Sequence, residues 1–295
     1  MKIKMERATI VFNIIGYVLI TILTLLCLLP FLLIVSGSFT PEIQIISKGF
    51  SLIPETFSLD AYKAAFSNPK QIFDGYKVTI FITVVGTAVG LFLTSMAGFV
   101  LSRKDFKYRD QLSFFIYFTT LFSGGLIPWY ILITKHLDLK DSYMALIVPA
   151  LLSAWNIILM KNFMKSIPDS IVESAKIDGA GEFTIYLKLI LPLSGPGLAT
   201  IGLFMALGYW NDWFMANLFI TSESHYPLQF LLYKILASAA VLKTNVAGNL
   251  SPTFQPPAET LKMAAAVIAT GPIVFLYPFV QRFFVKGLTI GAVKG

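Results

Sequence analysis

Charge is what this sequence holds least of. Asp, Glu, Lys and Arg make up 13% of its 295 residues, against about 25% in an ordinary soluble domain. Meanwhile 56% of residues are hydrophobic and the mean hydropathy is +0.74. Disorder is excluded, because a disordered chain is poor in apolar residues and rich in charge. The single cysteine, Cys27, leaves no disulfide framework and sits mid-run as packing filler. His136 and His225 are the two histidines, and neither joins an acidic cluster. Neither a metal set nor an acid–base pair is on offer, which argues against an enzyme. No Gly-x-x-x-x-Gly-Lys-Ser/Thr phosphate loop occurs, so the chain carries no ATP-hydrolysing motif of its own. Internal repeats and low-complexity tracts are missing too.

What is present is a set of long runs without Asp, Glu, Lys or Arg: 8–41, 78–102, 111–134, 142–160, 189–211 and 263–281. Each reaches the roughly 18 residues a helix needs to cross hydrocarbon at about 1.5 Å per residue. The expected fold is an all-α membrane protein with six transmembrane helices in one domain. The spans are placed at about 10–36, 77–102, 111–134, 142–163, 193–220 and 262–282. The first run far exceeds the roughly 7–15 apolar residues of a secretory signal, and no small-x-small site follows it, so it counts as a span.

Orientation follows from lysine and arginine in the short connections. With the N-terminus in the cytoplasm, the inner segments hold 14 of the 23 bases and 7 of the 16 acids, a net charge of +7. The outer segments keep 9 bases and 9 acids, a net of zero. N- and C-termini are therefore assigned to the cytoplasm of a multi-pass protein. The sequence pI of 9.3 reflects this topology and implies no nucleic-acid partner. Two outer connections are long. Residues 41–75 contain Pro41, Pro54 and Pro69 with balanced charge, a cap with short helical turns such as Leu59 to Phe66. Residues 222–261 begin with an apolar piece, Tyr226 to Leu242, read as an interfacial helix; a loop through Asn245, Gly248, Asn249 and Pro252 follows.

The connection between the fourth and fifth runs, 166–192, is unlike a short basic inner loop. Pro168-Asp169-Ser170 is a helix start, since proline fits the first turn and an acid there favours the positive end of the dipole. Gly179 and Gly181 supply a turn. A second helix then places Phe183, Tyr186, Leu187 and Ile190 at i, i+3, i+4 and i+7 on one face and ends near Pro192. Two short helices with a glycine hinge stand as a connector whose apolar face wants a partner.

Glu173-Ser174-Ala175-x-x-x-Gly179, followed by Ile190-Leu191-Pro192, resembles the EAA loop of membrane subunits of bacterial ABC importers. The usual second alanine is Ser174 here and the Ile-x-Leu-Pro ending is compressed. The six-run pattern and the tail from Lys286 to Gly295 are similar to the maltose-type carbohydrate uptake subgroup, and the likeness spans essentially the whole chain. It implies a permease subunit in a bacterial cell membrane. Its implied partners are a second, different permease, two ATPase subunits that bind Mg-ATP, an extracytoplasmic solute-binding protein and an oligosaccharide. This chain would itself bind no cofactor and no metal. The loop would be a coupling helix, with Glu173, Ser174, Ala175, Asp178 and Gly179 docking on an ATPase; the plainer alternative is a connector lying on the inner leaflet. The tail would insert between ATPase subunits, or fray. Asn245, Gly248 and Asn249 would reach the solute-binding protein, or cap the neighbouring permease. Phe122 to Pro128 and Ala258 to Met263 resemble a branch found with importers of polysaccharide fragments.

A sugar path needs aromatic rings beside hydrogen-bonding side chains. Asp212 is the one ionisable residue deep in a predicted span, and a charge there costs at least about 2.5 kcal/mol unless it meets water or a partner. Trp210, Asn211 and Trp213 surround it, and Asn156 beside Trp155 is a second polar point. These five residues, Trp210, Asn211, Asp212, Trp213 and Asn156, are the candidate substrate path. If the helix ends near 212, Asp212 is instead a boundary residue. Ser123-Gly124-Gly125 before Pro128 marks a break or a close packing point. The rival class is an ion-coupled secondary carrier, which would want several intramembrane acids or histidines where only Asp212 stands out.

Overall fold

A computed structural model describes residues 7–246 and 257–292. All regular structure among these residues is helical, with no strand. In chain order the helices are α1 (Arg7–Ser38), α2 (Glu42–Lys48), α3 (Asp60–Ala65), α4 (Pro69–Ser102), α5 (Arg109–Phe118), α6 (Leu126–Ile131), α7 (Tyr143–Ile147) and α8 (Ala154–Lys165). They continue as α9 (Asp169–Ile177), α10 (Glu182–Ile185), α11 (Leu191–Leu193), α12 (Gly195–Asn211), α13 (Phe214–Phe219), α14 (Leu228–Val246) and α15 (Ala258–Ala292). Two π turns, Leu132–His136 and Tyr186–Ile190, follow α6 and α10.

Three helical stretches, Val11–Ser38, Pro69–Ser102 and Ala258–Phe275, are long and apolar enough to cross a membrane. Two bent pairs pass the same test when each is taken as one span: Tyr143–Ala150 with Ala154–Lys165, bent 48°, and Glu182–Leu193 with Gly195–Asn211, bent 81°. Pro149 sits in the first bend, and Pro192, Gly195 and Pro196 surround the second; proline removes a ladder hydrogen bond and clashes with the preceding turn. Three of the expected spans are therefore not single unbroken helices. The fourth bends at 151–153, the fifth, expected over 193–220, starts at the Ser194 bend and opens after Asn211, and the third, 111–134, is split between α5 and α6. Uncharged length alone does not reveal such breaks, because it measures solubility in lipid and not helix continuity; the split of the third run falls at Ser123-Gly124-Gly125, the triplet expected to mark a break or a close packing point.

The chain divides into two compact units, residues 1–68 with 234–271 and residues 69–233 with 272–295. In the first, no residue of the most apolar window of α1 is buried by the rest of the chain. Its side chains are suited to hydrocarbon or to another subunit, and Cys27 lies on this exposed surface instead of filling a core. After α1, Ser38 hydroxyl meets Tyr62 hydroxyl at 2.9 Å, and Phe39 stacks on Phe57 and tilts against Tyr62, with ring centres 5.1 Å apart in each pair. The Glu42 carboxylate accepts the backbone N–H groups of Glu259 (2.9 Å) and Thr260 (2.8 Å). A carboxylate placed there satisfies two of the four N–H groups that every helix start leaves open, and it faces the positive end of α15.

The second unit is organised around α4, which packs against α8 and α12. Gly86, Gly90, Thr94 and Gly98 recur every four residues along one α4 stripe, all buried. Small residues let two helices approach closely, which is how helices associate where lipid removes the hydrophobic drive. A Cβ at Gly86 would lie 2.4 Å from the Tyr209 ring, and one at Gly98 would lie 2.6 Å from Met160 Cγ. Tyr209 is held in place by donating its hydroxyl to Ile147 O at 3.0 Å.

Candidate coupling surface and translocation path

The segment 168–193 rises from the α4–α8–α12 packing. Phe99, Met160, Met164, Ile201 and Met205 form a core with Val172 and Ala175 of α9 and with Ile185, Tyr186 and Ile190. Tyr186 is 2% exposed and its hydroxyl meets Ser95 Oγ of α4 at 2.7 Å. The face expected from a 3.6-residue period is only half right. Tyr186 and Ile190 are buried, whereas Phe183 is 60% and Leu187 44% exposed, and Ile185 joins the core at 0%. The π turn explains the shift: Leu191 N–H bonds to Tyr186 O, five residues back, so residues five apart such as Ile185 and Ile190 share a side.

On α9 the buried side is Val172 and Ala175, while Glu173, Ser174, Ile177, Asp178 and Gly179 are exposed. Ala175, expected on the docking surface, packs inward at 8% exposure. The reason is geometric: Val172 and Ala175 are one turn apart on the stripe that meets the core. Ile177, which the motif does not single out, is 86% exposed. Gly179 adopts φ +80° with open space around it, the left-handed backbone that glycine takes without strain. It reverses the chain between α9 and α10.

A charge cluster clasps this hairpin to the end of α4. Arg103 forks onto Asp105 with contacts of 3.0 and 2.6 Å, and Lys176 of α9 bonds both Asp105 (2.8 Å) and Glu182 (2.7 Å). Lys104 pairs with Asp169 at 2.6 Å. Hydrogen bonds from Arg103, then from Lys176, hold the Asp105 carboxyl well below the usual carboxylate range. The same bonds, Asp105 first, raise the Lys176 ammonium above its ordinary value. Beside the clasp lies a cavity of about 300 Å³ bordered by Arg103, Lys104, Arg109, Lys165 and Asp169. The lysines and arginines used to assign orientation thus also fasten α9.

The expected path residues divide. Trp210 is 6% exposed and Asn156 9%, both largely inside the second unit. Asn211 and Trp213 are exposed, and Asp212 is partly so, at the gap between α12 and α13. Asp212 accepts Met215 N–H at 3.0 Å, so this acid tethers the first turn of α13, as the boundary alternative requires. Gln229 donates to Asn211 Oδ1 at 3.3 Å and Tyr233 stacks on Trp213 at 4.6 Å. Gln229 and Tyr233 come from α14 and were not legible as neighbours, since nothing in the sequence pairs them with 211–213. Of the residues expected to meet a solute-binding protein, Asn245 belongs to the backbone of α14, while Gly248 and Asn249 lie outside the described residues.

An apolar chain whose described residues are helical, with bent and broken segments apolar enough to cross a membrane, has a membrane-permease fold. Its residues 86–290 match the family described as "Binding-protein-dependent transport system inner membrane component". The chain belongs to that family, and a motor-free ion-coupled carrier is set aside. It is 44% identical over 286 residues to the polygalacturonan/rhamnogalacturonan transport system permease protein YtcP of Bacillus subtilis (strain 168), covering 96% of this chain and 98% of that one. Protein LplC of the same organism is also 44% identical, over 268 residues, 91% of this chain and 90% of LplC. Among solved structures, a bacterial ABC transporter involved in the import of the acidic polysaccharide alginate superposes with a TM-score of 0.78 at 30% identity. That match covers 95% of this chain and 99% of the other. The chain is a permease component of an ABC import system.

Proposed function

We propose that the chain is one of two different permease subunits of an importer for oligosaccharides released from polysaccharides. It works with two ATPase subunits that bind Mg-ATP and with an extracytoplasmic solute-binding protein. The observation that carries this reading is the α9–Gly179–α10 hairpin, buried on one side by Val172, Ala175, Ile185 and Tyr186 and open on the other at Glu173, Ser174, Ile177, Asp178 and Gly179. A short rigid helix whose inner side is fixed to the spans is a lever for another protein. Six crossings with the termini in the cytoplasm put this lever on the side where ATP is found. The six comprise the three long helices, the bent pair of α7 and α8, α12 with α13, and the split α5–α6 segment, while α10 and the π turn after it stay with the hairpin in the cytoplasm. ATP closes the motor pair, the hairpin moves α4, α8 and α12, and a path lined by Asn211, Trp213, Gln229 and Tyr233 accepts sugar. The glycans named for the relatives support the substrate class. Asn245, Gly248 and Asn249 remain the proposed contact with the solute-binding protein.

The test is ATP-driven uptake of labelled oligogalacturonides and arabino-oligosaccharides into proteoliposomes, with and without the companion subunits. Uptake that requires all of them is expected; uptake by this chain alone overturns the reading. Gly179→Phe forces a side chain into φ +80°, a backbone that costs an L-residue about 1–2 kcal/mol, and blocks the docking side. It should abolish ATPase association or sugar-stimulated hydrolysis. Full retention of both would refute the lever.

A further inference from the structure

The third uncharged run is interrupted where a crossing helix would be continuous. α5 covers ten residues, Arg109–Phe118, a rise of about 15 Å and so half of the roughly 30 Å hydrocarbon core. With Arg109 at the cytoplasmic surface, as in the proposed orientation, the break over 119–125 begins near the bilayer midplane. Thr119, Thr120 and Leu121 still donate their N–H groups to carbonyls of the preceding turn, and Gly125 N–H reaches Ser123 Oγ at 3.2 Å. Among the described residues, the N–H groups of Phe122, Ser123 and Gly124 have no acceptor. Lipid offers none, and irregular backbone at membrane depth persists only against protein or water.

Ser123 and Gly124 border a cavity of about 490 Å³ that Gly125, Pro128, Trp129 and Leu132 also line. Trp129 and Met215 both pack against the core of Ile133, Ala145 and Phe219. Met215 is the residue whose N–H Asp212 holds. One apolar cluster thus joins the break at 119–125 to the gap at Asp212 and Trp213. Unsatisfied donors next to an indole are what a sugar recognises: the donors meet hydroxyl oxygens and the ring covers apolar C–H groups.

We infer that the Ser123–Gly125 backbone and Trp129 form a mid-membrane subsite for the transported oligosaccharide. The inference rests on the proposed function and names a contact point within it. Gly124 suits a probe, since a Cβ there meets nothing within 4 Å and its φ lies outside the left-handed region. The complete complex, carrying Cys27→Ser to remove the natural thiol and Gly124→Cys to introduce one, is placed in proteoliposomes. Its ATP-driven uptake of oligogalacturonides and arabino-oligosaccharides is measured first. A charged, membrane-impermeant methanethiosulfonate is then supplied on both faces, with and without the sugar taken up and through the nucleotide cycle. The expected result is modification that the transported sugar slows and a non-transported sugar does not. A thiol unreactive in every nucleotide state means the break is sealed against another permease, and a rate indifferent to sugar means water alone fills it; either overturns the subsite. If Gly124→Cys fails to assemble, Ser123→Cys carries the same measurement. Uptake with a silent thiol sinks the subsite alone, whereas no uptake by the unmodified complex sinks the proposed function and the subsite together.

Discussion

Gly98→Ala is the sharpest probe of how α4 seats the coupling hairpin. A Cβ built there lies 2.6 Å from Met160 Cγ, 2.9 Å from Met160 Cβ and 3.1 Å from Lys161 N. Carbon atoms in ordinary contact sit about 3.5–4.0 Å apart. Met160 is completely buried, and its Cβ moves only with the α8 backbone, so rotamer changes give little relief. The two helices must part by roughly 0.5–1 Å to restore contact distances. Overpacking of this kind costs about 1–3 kcal/mol, and alanine returns about 1 kcal/mol in helix propensity. The net loss is about 1 kcal/mol, roughly a fivefold fall in the folded-to-unfolded ratio. Gly208→Ala in α12 is the control, because a Cβ there meets nothing within 4 Å; it gains the propensity and loses nothing. The assay is unfolding of the full chain in mixed micelles of rising SDS fraction, followed by helical circular dichroism. Gly98→Ala should unfold at a lower fraction than the natural chain, and Gly208→Ala at an equal or higher one. If Gly98→Ala unfolds no earlier than Gly208→Ala, the close α4–α8 approach is not what limits packing.

On α9, Ile177→Ala removes an 86% exposed side chain. It should leave the same unfolding curve unchanged while weakening ATPase association in a pull-down of purified subunits. Ala175→Leu should do the reverse of the first part, shifting the unfolding curve by about 1–3 kcal/mol, because the added carbons enter a filled core. The clasp makes a pH prediction. The folded-state pKa of Asp105 is depressed, so its contribution is complete above the ordinary carboxylate pKa of about 4 and is lost as pH falls below it. Hydrogen exchange of the α9 amides should therefore be protected at neutral pH and accelerate in acid beyond its intrinsic pH dependence. Asp105→Asn should remove that extra acceleration; an unchanged profile would show that Asp105 does not fasten α9.

The membrane class, the positions of the apolar runs and the motif from Glu173 to Gly179 were determined by the sequence alone. Each is a local property: a run without charge enters hydrocarbon whatever surrounds it, and a glycine at a turn needs no distant neighbour. The four-residue spacing of Gly86, Gly90, Thr94 and Gly98 was also present in the chain order, though which helix would fill each gap was not. Tertiary structure decided the rest. Ala175 faces inward because α4 and α8 supply a core on that side, and a motif records residue types but not the side from which a partner approaches. Tyr186 and Ile190 are buried together with Ile185 because a π turn resets the helical phase. Asn211 and Trp213 acquire Gln229 and Tyr233 only when α14 folds back, since contacts between distant residues leave no local trace. The uncharged run 111–134 breaks at 119–125 because apolar composition fixes which solvent a segment tolerates, while helix continuity depends on what satisfies its peptide groups.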